Sequence, residues 1–324
     1  MRIFAFDQIQ LFMRQWKLWM MAATLVCGTS LFIACSEEST DNPVAPIEPR
    51  QRVITFEGIE NAREMGGLVM QDGRTVRFGR LIRSANLSTA TDADVDVLTD
   101  LFDLSDVFDF RFEAEAAAAP DRIIDGVAYT HLSTMPKLFV GAFSSSAGDS
   151  SGSEQVDTRD MAAITLKHAF NPNVQILMRL LYPAIVTDLE SQAYYGEFLR
   201  GVLNAQGGVL WHCSQGKDRA GWAAAFLLAA LGAEREVIVD DFDLSNQSYA
   251  SKVEALLALV PDDKEGSDEA AAFIRAMIGV SRENFESTLD MIDSEYGSLS
   301  QYIENQLGFT KEEQQLLRDK YLAN

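Results

Sequence analysis

Residues 207 to 232 read GGVLWHCSQGKDRAGWAAAFLLAALG. An apolar run of strand length enters a short loop carrying Gly216, and a long alanine- and leucine-rich stretch follows until Gly232 stops it. That order predicts a strand, a tight loop and a buried helix with glycine at its C-terminal end. The pattern recurs along the chain. RLIRSANLSTATDADVDVLTDLF opens with a short strand, and Ser88 or Thr91 then caps a helix with apolar residues at Val95, Leu98 and Leu101. Residues 106–111 and 127–133 read as further strands, and helical periodicity runs from about Met161 to Ala205. The last 75 residues are mostly helical, with Thr310 and Glu313 spaced as a capping box. Strand followed by helix, repeatedly, predicts an α/β fold with a largely parallel central sheet flanked by helices. Residues 140–160 are rich in Gly and Ser and read as an excursion from that frame.

The 324 residues are 47% hydrophobic, enough for a substantial core. The formal net charge of -21 repels polyanions, and no dense Lys/Arg cluster offsets it, so nucleic acid is not an expected partner. The first 34 residues differ in kind. Arg14 and Lys17 precede an apolar run from Leu18 to Ala34, and Cys35 stands at its end before a polar, proline-bearing stretch. These are the features of an export signal. With the cysteine at the break, the segment resembles a bacterial lipoprotein signal, except that Phe32 stands where leucine is usual. The resemblance implies lipid attachment at Cys35 and a membrane partner, in the bacterial cell envelope. Plain secretion and a membrane-spanning anchor are the alternatives, although the apolar run is short for a span. The expected organisation is a signal over 1–34, a lipidated cysteine and tether over 35–52, and one catalytic domain over 53–324. Cys27 would leave with the signal and Cys35 would carry lipid. Cys213 would then be the one free thiol of the mature chain, without a partner for a disulfide.

Cys213 sits where a free thiol has use. Six backbone N–H groups from Ser214 to Arg219, including those of Gln215, Gly216, Lys217 and Asp218, can curl around an anion as the helix begins. The positive end of the helix dipole points at the same place. Gly216 permits the tight path. Arg219 brings a planar fork able to hold two phosphate oxygens. That field also favours thiolate over thiol, so one set of dipoles makes the nucleophile and binds its dianionic target. A buried structural thiol is the ordinary fate of a lone cysteine. Gly216, Lys217, Asp218, Arg219 and Gly221 at these spacings argue against it.

The stretch HCSQGKDR resembles the cysteine-dependent tyrosine phosphatase superfamily, whose signature is His-Cys, five residues, Arg. It is close to a bacterial branch with a Gly-Lys-Asp-Arg loop, acting on phosphotyrosine, sometimes phosphoserine or phosphothreonine, and on phosphoinositides. GIENAREMGGL at 58–68 resembles that branch's opening block, with Glu64 in place of Asp. GRLIRSANLS, DFRFEAE, DDFDLSNQSY and EYGSLSQYI match later blocks in the right order, so the likeness spans roughly 53–322. It implies a tyrosine phosphatase-like fold and a phosphomonoester hydrolase working through phosphocysteine, without cofactor or metal. Cys213 would attack, Arg219 would bind the phosphoryl group, and the loop from Ser214 to Lys217, with Ala220, would line the substrate. A phosphorylated protein or a phosphoinositide is the expected partner, and Lys217 beside Arg219 suits either. Three aspartates compete as general acid. Asp218 is the branch's candidate; Asp121 reads as a surface turn, and Asp109 as a pairing partner of Lys217 or Arg219. His212 positions rather than transfers protons, and His131 and His168 have no partners at metal-ligand spacing. Ala220 stands where many relatives carry Thr or Ser, a hydroxyl that would help the sulfur leave, so slower breakdown of the intermediate is expected. The rivals are a sulfur-transfer or arsenate-reducing loop, and a surface module that binds phosphate without turning it over. Rhodanese-type loops do not call for Lys-Asp-Arg, arsenate reductases usually need further thiols, and inert modules usually lose the Cys or the Arg.

Overall fold

The computed structural model describes residues 52–137, 139–140, 161–261 and 264–324. Cys35, the signal and most of the 140–160 excursion lie outside the described residues. The apolar runs become strands: β1 (Arg63–Glu64), β2 (Thr75–Val76), β3 (Leu81–Ser84), β4 (Leu104–Asp109), β5 (Ala128–His131), β6 (Gly208–His212) and β7 (Leu322–Ala323). The central sheet has the order β1-β3-β6-β4-β5. β3, β4 and β5 join β6 in parallel, directly or through a neighbour, and β1 is an antiparallel edge. β2 and β7 make a separate antiparallel pair at the chain's end. This is an α/β fold with a mostly parallel sheet flanked by helices.

β6 is buried along its whole length, as an interior parallel strand covered on both faces should be. Its side chains alternate between two apolar clusters. Val209 and Trp211 join Leu81, Phe108 and the helix Arg219–Leu231 on one face. Leu210 joins Ile82, Val107 and Leu98 on the other. Each such fully buried large side chain contributes about 2 kcal/mol relative to exposure. The helix Arg219–Leu231 is buried at every position but Ala229, and Gly232 ends it with φ +97°. A third cluster, containing Tyr249, Phe273 and Ile274, joins the helices Arg235–Leu257 and Ser267–Ile278. Among the described residues no helix is long and apolar enough to cross a membrane.

Register places the site. Ser84 and Asp109 both lie beside His212, and Asp109 also lies beside His131, so four strands end in one row. The chain leaves that row at Cys213, at the carboxyl edge of the sheet where α/β folds bind ligands. One helix departs from its predicted face. Thr91 caps Asp92–Asp96 through a capping box, but Val97–Leu101 widens into a π-helical turn. Leu98 is fully buried while Leu101 is 70% exposed, because the wider turn rotates the next apolar position off the core.

Candidate active site

Cys213 is a buried free thiol immediately after β6. The loop beyond it is held by its carbonyls. Ser214 O accepts from Asn86 Nδ2 at 2.8 Å. Gln215 O accepts from Asn61 Nδ2 at 3.0 Å and from the Tyr249 hydroxyl at 2.8 Å. Gly216 O and Lys217 O both accept from Arg83 Nη2, at 2.9 and 3.0 Å. Four successive carbonyls are therefore drawn outward by side chains outside the loop, which turns the intervening amides the other way. None of the amides from Ser214 to Asp218 has an acceptor among the described residues. Gly216 has φ +65°, and a Cβ there would stand 2.1 Å from Ser84 O. Only glycine fits both the backbone angle and the close approach to β3.

Three of these donors, Asn61, Tyr249 and Arg83, are organised by one helix. Along Arg235–Leu257, Asp241, Ser245 and Tyr249 recur every four residues and face the loop. Asp241 accepts from Arg52, Arg63 and Arg83 at 3.0, 3.2 and 2.7 Å. Ser245 meets Asn61 and Arg63 at 3.3 Å each. Burial, then the charge of Arg83, lowers the Arg63 pKa to about 9. Burial alone would raise the Asp241 pKa, and the three guanidiniums outweigh it and hold it well below the ordinary carboxylate value. Three buried cations on one anion leave positive charge directly behind the loop.

Arg219 is buried and clasped by Glu115, with Nη1 at 2.6 Å and Nη2 at 2.8 Å from the two carboxylate oxygens. Ser214 Oγ donates to the same carboxylate at 2.7 Å. Burial would lower the Arg219 pKa, but Glu115 raises it, and Arg219 in turn holds Glu115 below the ordinary carboxylate value against its own burial. Glu115 thus occupies the Nη1/Nη2 edge of the guanidinium. The Nε–H meets no acceptor among the described residues, which leaves the Nε/Nη2 edge for a bidentate anion.

Such a loop, with a thiol at its base, unpartnered amides and one open guanidinium edge, can bind a tetrahedral dianion and present a nucleophile to it. The sequence matches the model of the tyrosine phosphatase family over residues 54–323. The chain belongs to the tyrosine phosphatase family. It is 31% identical over 219 residues to a Cupriavidus necator protein named "Putative tyrosine-protein phosphatase H16_A0669", covering 67% of this chain and 71% of that one. It is 30% identical over 184 residues to the "Triple specificity protein phosphatase PtpB" of Mycobacterium tuberculosis, covering 56% of this chain and 66% of that one. This tyrosine phosphatase family member is a phosphoric monoester hydrolase.

Several residues of this phosphatase sit differently from their sequence-based placement. Lys217, expected to face substrate, is buried, and its ammonium donates to Met277 O and, at 2.7 Å, to Gly279 O. Those carbonyls belong to the C-terminal end of Ser267–Ile278, where a cation suits the helix dipole, and burial lowers the Lys217 pKa. Asp109 pairs with neither Lys217 nor Arg219. Arg111, two residues on, takes both its oxygens through Nε and Nη2 at 2.7 to 3.0 Å. Asp121 is not a surface turn. Its side chain is 7% exposed and held by Arg111 Nη2 at 2.7 Å and the Leu87 amide at 2.7 Å. His212 is fully buried between the two, with Nε2 3.2 Å from Asp121 and Nδ1 3.7 Å from Asp109. Asp109, Asp121 and His212 bring ligand atoms within 4.8 Å of one another. The Arg111 guanidinium already lies against both carboxylates, so the cluster reads as an internal ion-pair network.

Asp218 differs from these carboxylates. No arginine clasps it, and its side chain is 21% exposed. Its Oδ1 accepts from the Tyr182 hydroxyl at 2.7 Å, and Oδ2 lies 3.7 Å from Lys217 Nζ. Ala220 is fully buried in the first turn of the loop helix, its carbonyl bonded by Trp211 Nε1 at 3.0 Å. Sequence reasoning named no role for Glu115, Arg83, Asn61, Asn86, Asp241 or Tyr249. Each stands inside a block that carries the family likeness, which was the available signal. Tyr182 stands in none.

Proposed function

We propose that this phosphatase hydrolyses phosphomonoesters through a phosphocysteine at Cys213. The thiolate attacks phosphorus in line, the P–O bond to the leaving group breaks, and Asp218 gives its proton to the departing oxygen. Water then attacks phosphorus and loses a proton to the Asp218 carboxylate, while the P–S electron pair returns to sulfur. The Nε/Nη2 edge of Arg219 and the loop amides hold the equatorial oxygens, where charge stabilisation has most effect. The observation that carries the reading is the loop itself, with four carbonyls fixed outward around a buried thiol and an arginine open on one edge. Asp218 is favoured as acid over Asp109, Asp121 and Glu115 because each of those is bound by an arginine.

Phosphoproteins are the substrate class we favour, in keeping with the names of both relatives. A multiply phosphorylated inositol headgroup is the weaker reading, since Lys217 is engaged within the protein. We further propose that the enzyme works in the cell envelope, attached through lipid at Cys35. The test is hydrolysis of p-nitrophenyl phosphate without added metal, inhibited by vanadate. Cys213→Ser should abolish turnover while keeping phosphate affinity, and acid quench of the wild type should trap labelled phosphate on Cys213. Normal turnover by Cys213→Ser, or activity that resists vanadate and vanishes with a chelator, would overturn the mechanism.

A further inference from the structure

Asp218 needs orientation if it is to pass a proton, because a carboxylate that rotates freely spends little time aimed at the leaving oxygen. Its sequence neighbours do not supply that orientation. Lys217 Nζ stands 3.7 Å from Oδ2, beyond hydrogen-bond distance, with its donors directed to Met277 O and Gly279 O. The orienting contact comes from far along the chain. Tyr182, in the helix Leu181–Thr187, donates its hydroxyl to Asp218 Oδ1 at 2.7 Å.

The phenol is itself held on several sides. Its ring stands edge-on to Trp222 at 6.2 Å and to Phe242 at 5.6 Å. Trp222 lies on the helix that starts at the loop, and Phe242 follows the Asp241 that anchors Arg83, so the tyrosine is packed against the two helices that hold the loop. Burial, and then the charge of Asp218, push the Tyr182 pKa well up, so the hydroxyl keeps its hydrogen and remains a donor.

We infer that Tyr182 is a positioning residue for the proton transfer: by occupying Oδ1 it reserves Oδ2 of Asp218 for the proton exchanged with substrate. A proton on Oδ1 would displace the phenol hydrogen from its acceptor, so the two oxygens are not equivalent. On phosphorylation of Cys213 the Oδ2 proton passes to the leaving oxygen, and on hydrolysis Oδ2 receives one from water. Tyr182 exchanges no proton with substrate and acts through Asp218. The inference rests on Asp218 being the acid of the proposed function.

The leaving-group dependence of kcat/KM, which reports the first chemical step, tests it. An aryl phosphate with a good leaving group needs little protonation, whereas phenyl phosphate needs much. Tyr182→Phe should leave kcat/KM for p-nitrophenyl phosphate within about threefold of wild type and lower that for phenyl phosphate by roughly ten- to a hundredfold, part of the usual contribution of a general acid. A role in packing alone would lower both substrates equally, with a lower melting temperature, and that result would overturn the inference. Asp218→Asn should show the same steepening, and Tyr182→Phe added to Asp218→Asn should steepen it no further. If Asp218→Asn leaves the dependence flat, the acid assignment fails. If Asp218→Asn steepens it and Tyr182→Phe does not, only the role of Tyr182 fails.

Discussion

At the residue scale, the chemistry is concentrated in side chains whose neighbours remove their freedom. Arg219 presents one open edge because Glu115 takes the other, and Gly216 passes β3 because it lacks a Cβ. Ala220 is the residue whose consequence is kinetic. It is fully buried at the start of the loop helix, and it has a methyl where the family likeness read from the sequence leads to the expectation of a hydroxyl for the sulfur. Breakdown of phosphocysteine should therefore limit turnover. Rapid mixing of p-nitrophenyl phosphate with wild type should give a burst of nitrophenol near one equivalent, followed by a slower steady phase that hardly depends on the leaving group. Ala220→Thr should raise the steady rate and shrink the burst. No burst in wild type, together with no gain in the variant, would mean that water activation is already sufficient and that Ala220 only packs. This expectation came from the family likeness of the loop, which marks the position after the arginine. The placement of Lys217 was not legible in the sequence. A lysine stem is long enough to reach either the substrate or a neighbouring helix end, and the position of Met277 and Gly279 decides between them.

At the element scale, the helix Arg235–Leu257 acts as the clamp. Its Asp241 gathers Arg52, Arg63 and Arg83, and Arg83 carries the constraint to the loop carbonyls. Asp241→Asn should leave three buried guanidiniums without an anion and cost about 3–5 kcal/mol, the usual effect of removing one partner of a buried ion pair, read by urea unfolding. Phosphate affinity should fall with it, since the loop amides lose their alignment. The pH dependence follows from the depressed Asp241 pKa. Its stabilising contribution is fully present above the ordinary aspartate value and is lost as pH falls below about 4, toward the folded-state pKa. Unfolding free energy measured against pH should decline less steeply below that point in Asp241→Asn than in wild type. Equal slopes would show that other carboxylates, such as Glu115 and Asp109, dominate the acid limb. Elements themselves were readable where periodicity is strong, as in β6 and the helix after it. The turn Val97–Leu101 was not, because widening to a π-helical turn leaves the apolar spacing of the sequence unchanged while rotating Leu101 outward.

At the scale of the whole molecule, a strongly acidic chain concentrates buried positive charge behind one loop at the carboxyl edge of its sheet. Attachment at Cys35 would set where that site works. The full-length protein should fractionate with membranes, and Cys35→Ala should become soluble or remain unprocessed, because stable anchoring needs more than one acyl chain. Unchanged membrane association in Cys35→Ala would point to an uncleaved apolar helix. By itself the sequence determined the alternation of strands and helices and the strand-loop-helix path through Cys213. Those depend on local periodicity and on the short-range geometry of one strand, one loop and one helix. Only the tertiary structure decided which carboxylate is free. Asp109, Asp121, Glu115 and Asp218 look alike along the chain, and the first three are bound by arginines, Asp109 and Asp121 by the nearby Arg111 and Glu115 by Arg219 across 104 positions. Tyr182 meets Asp218 across 36 positions. A contact of that kind depends on how helices pack on a sheet, and it leaves no spacing in the sequence from which to read it.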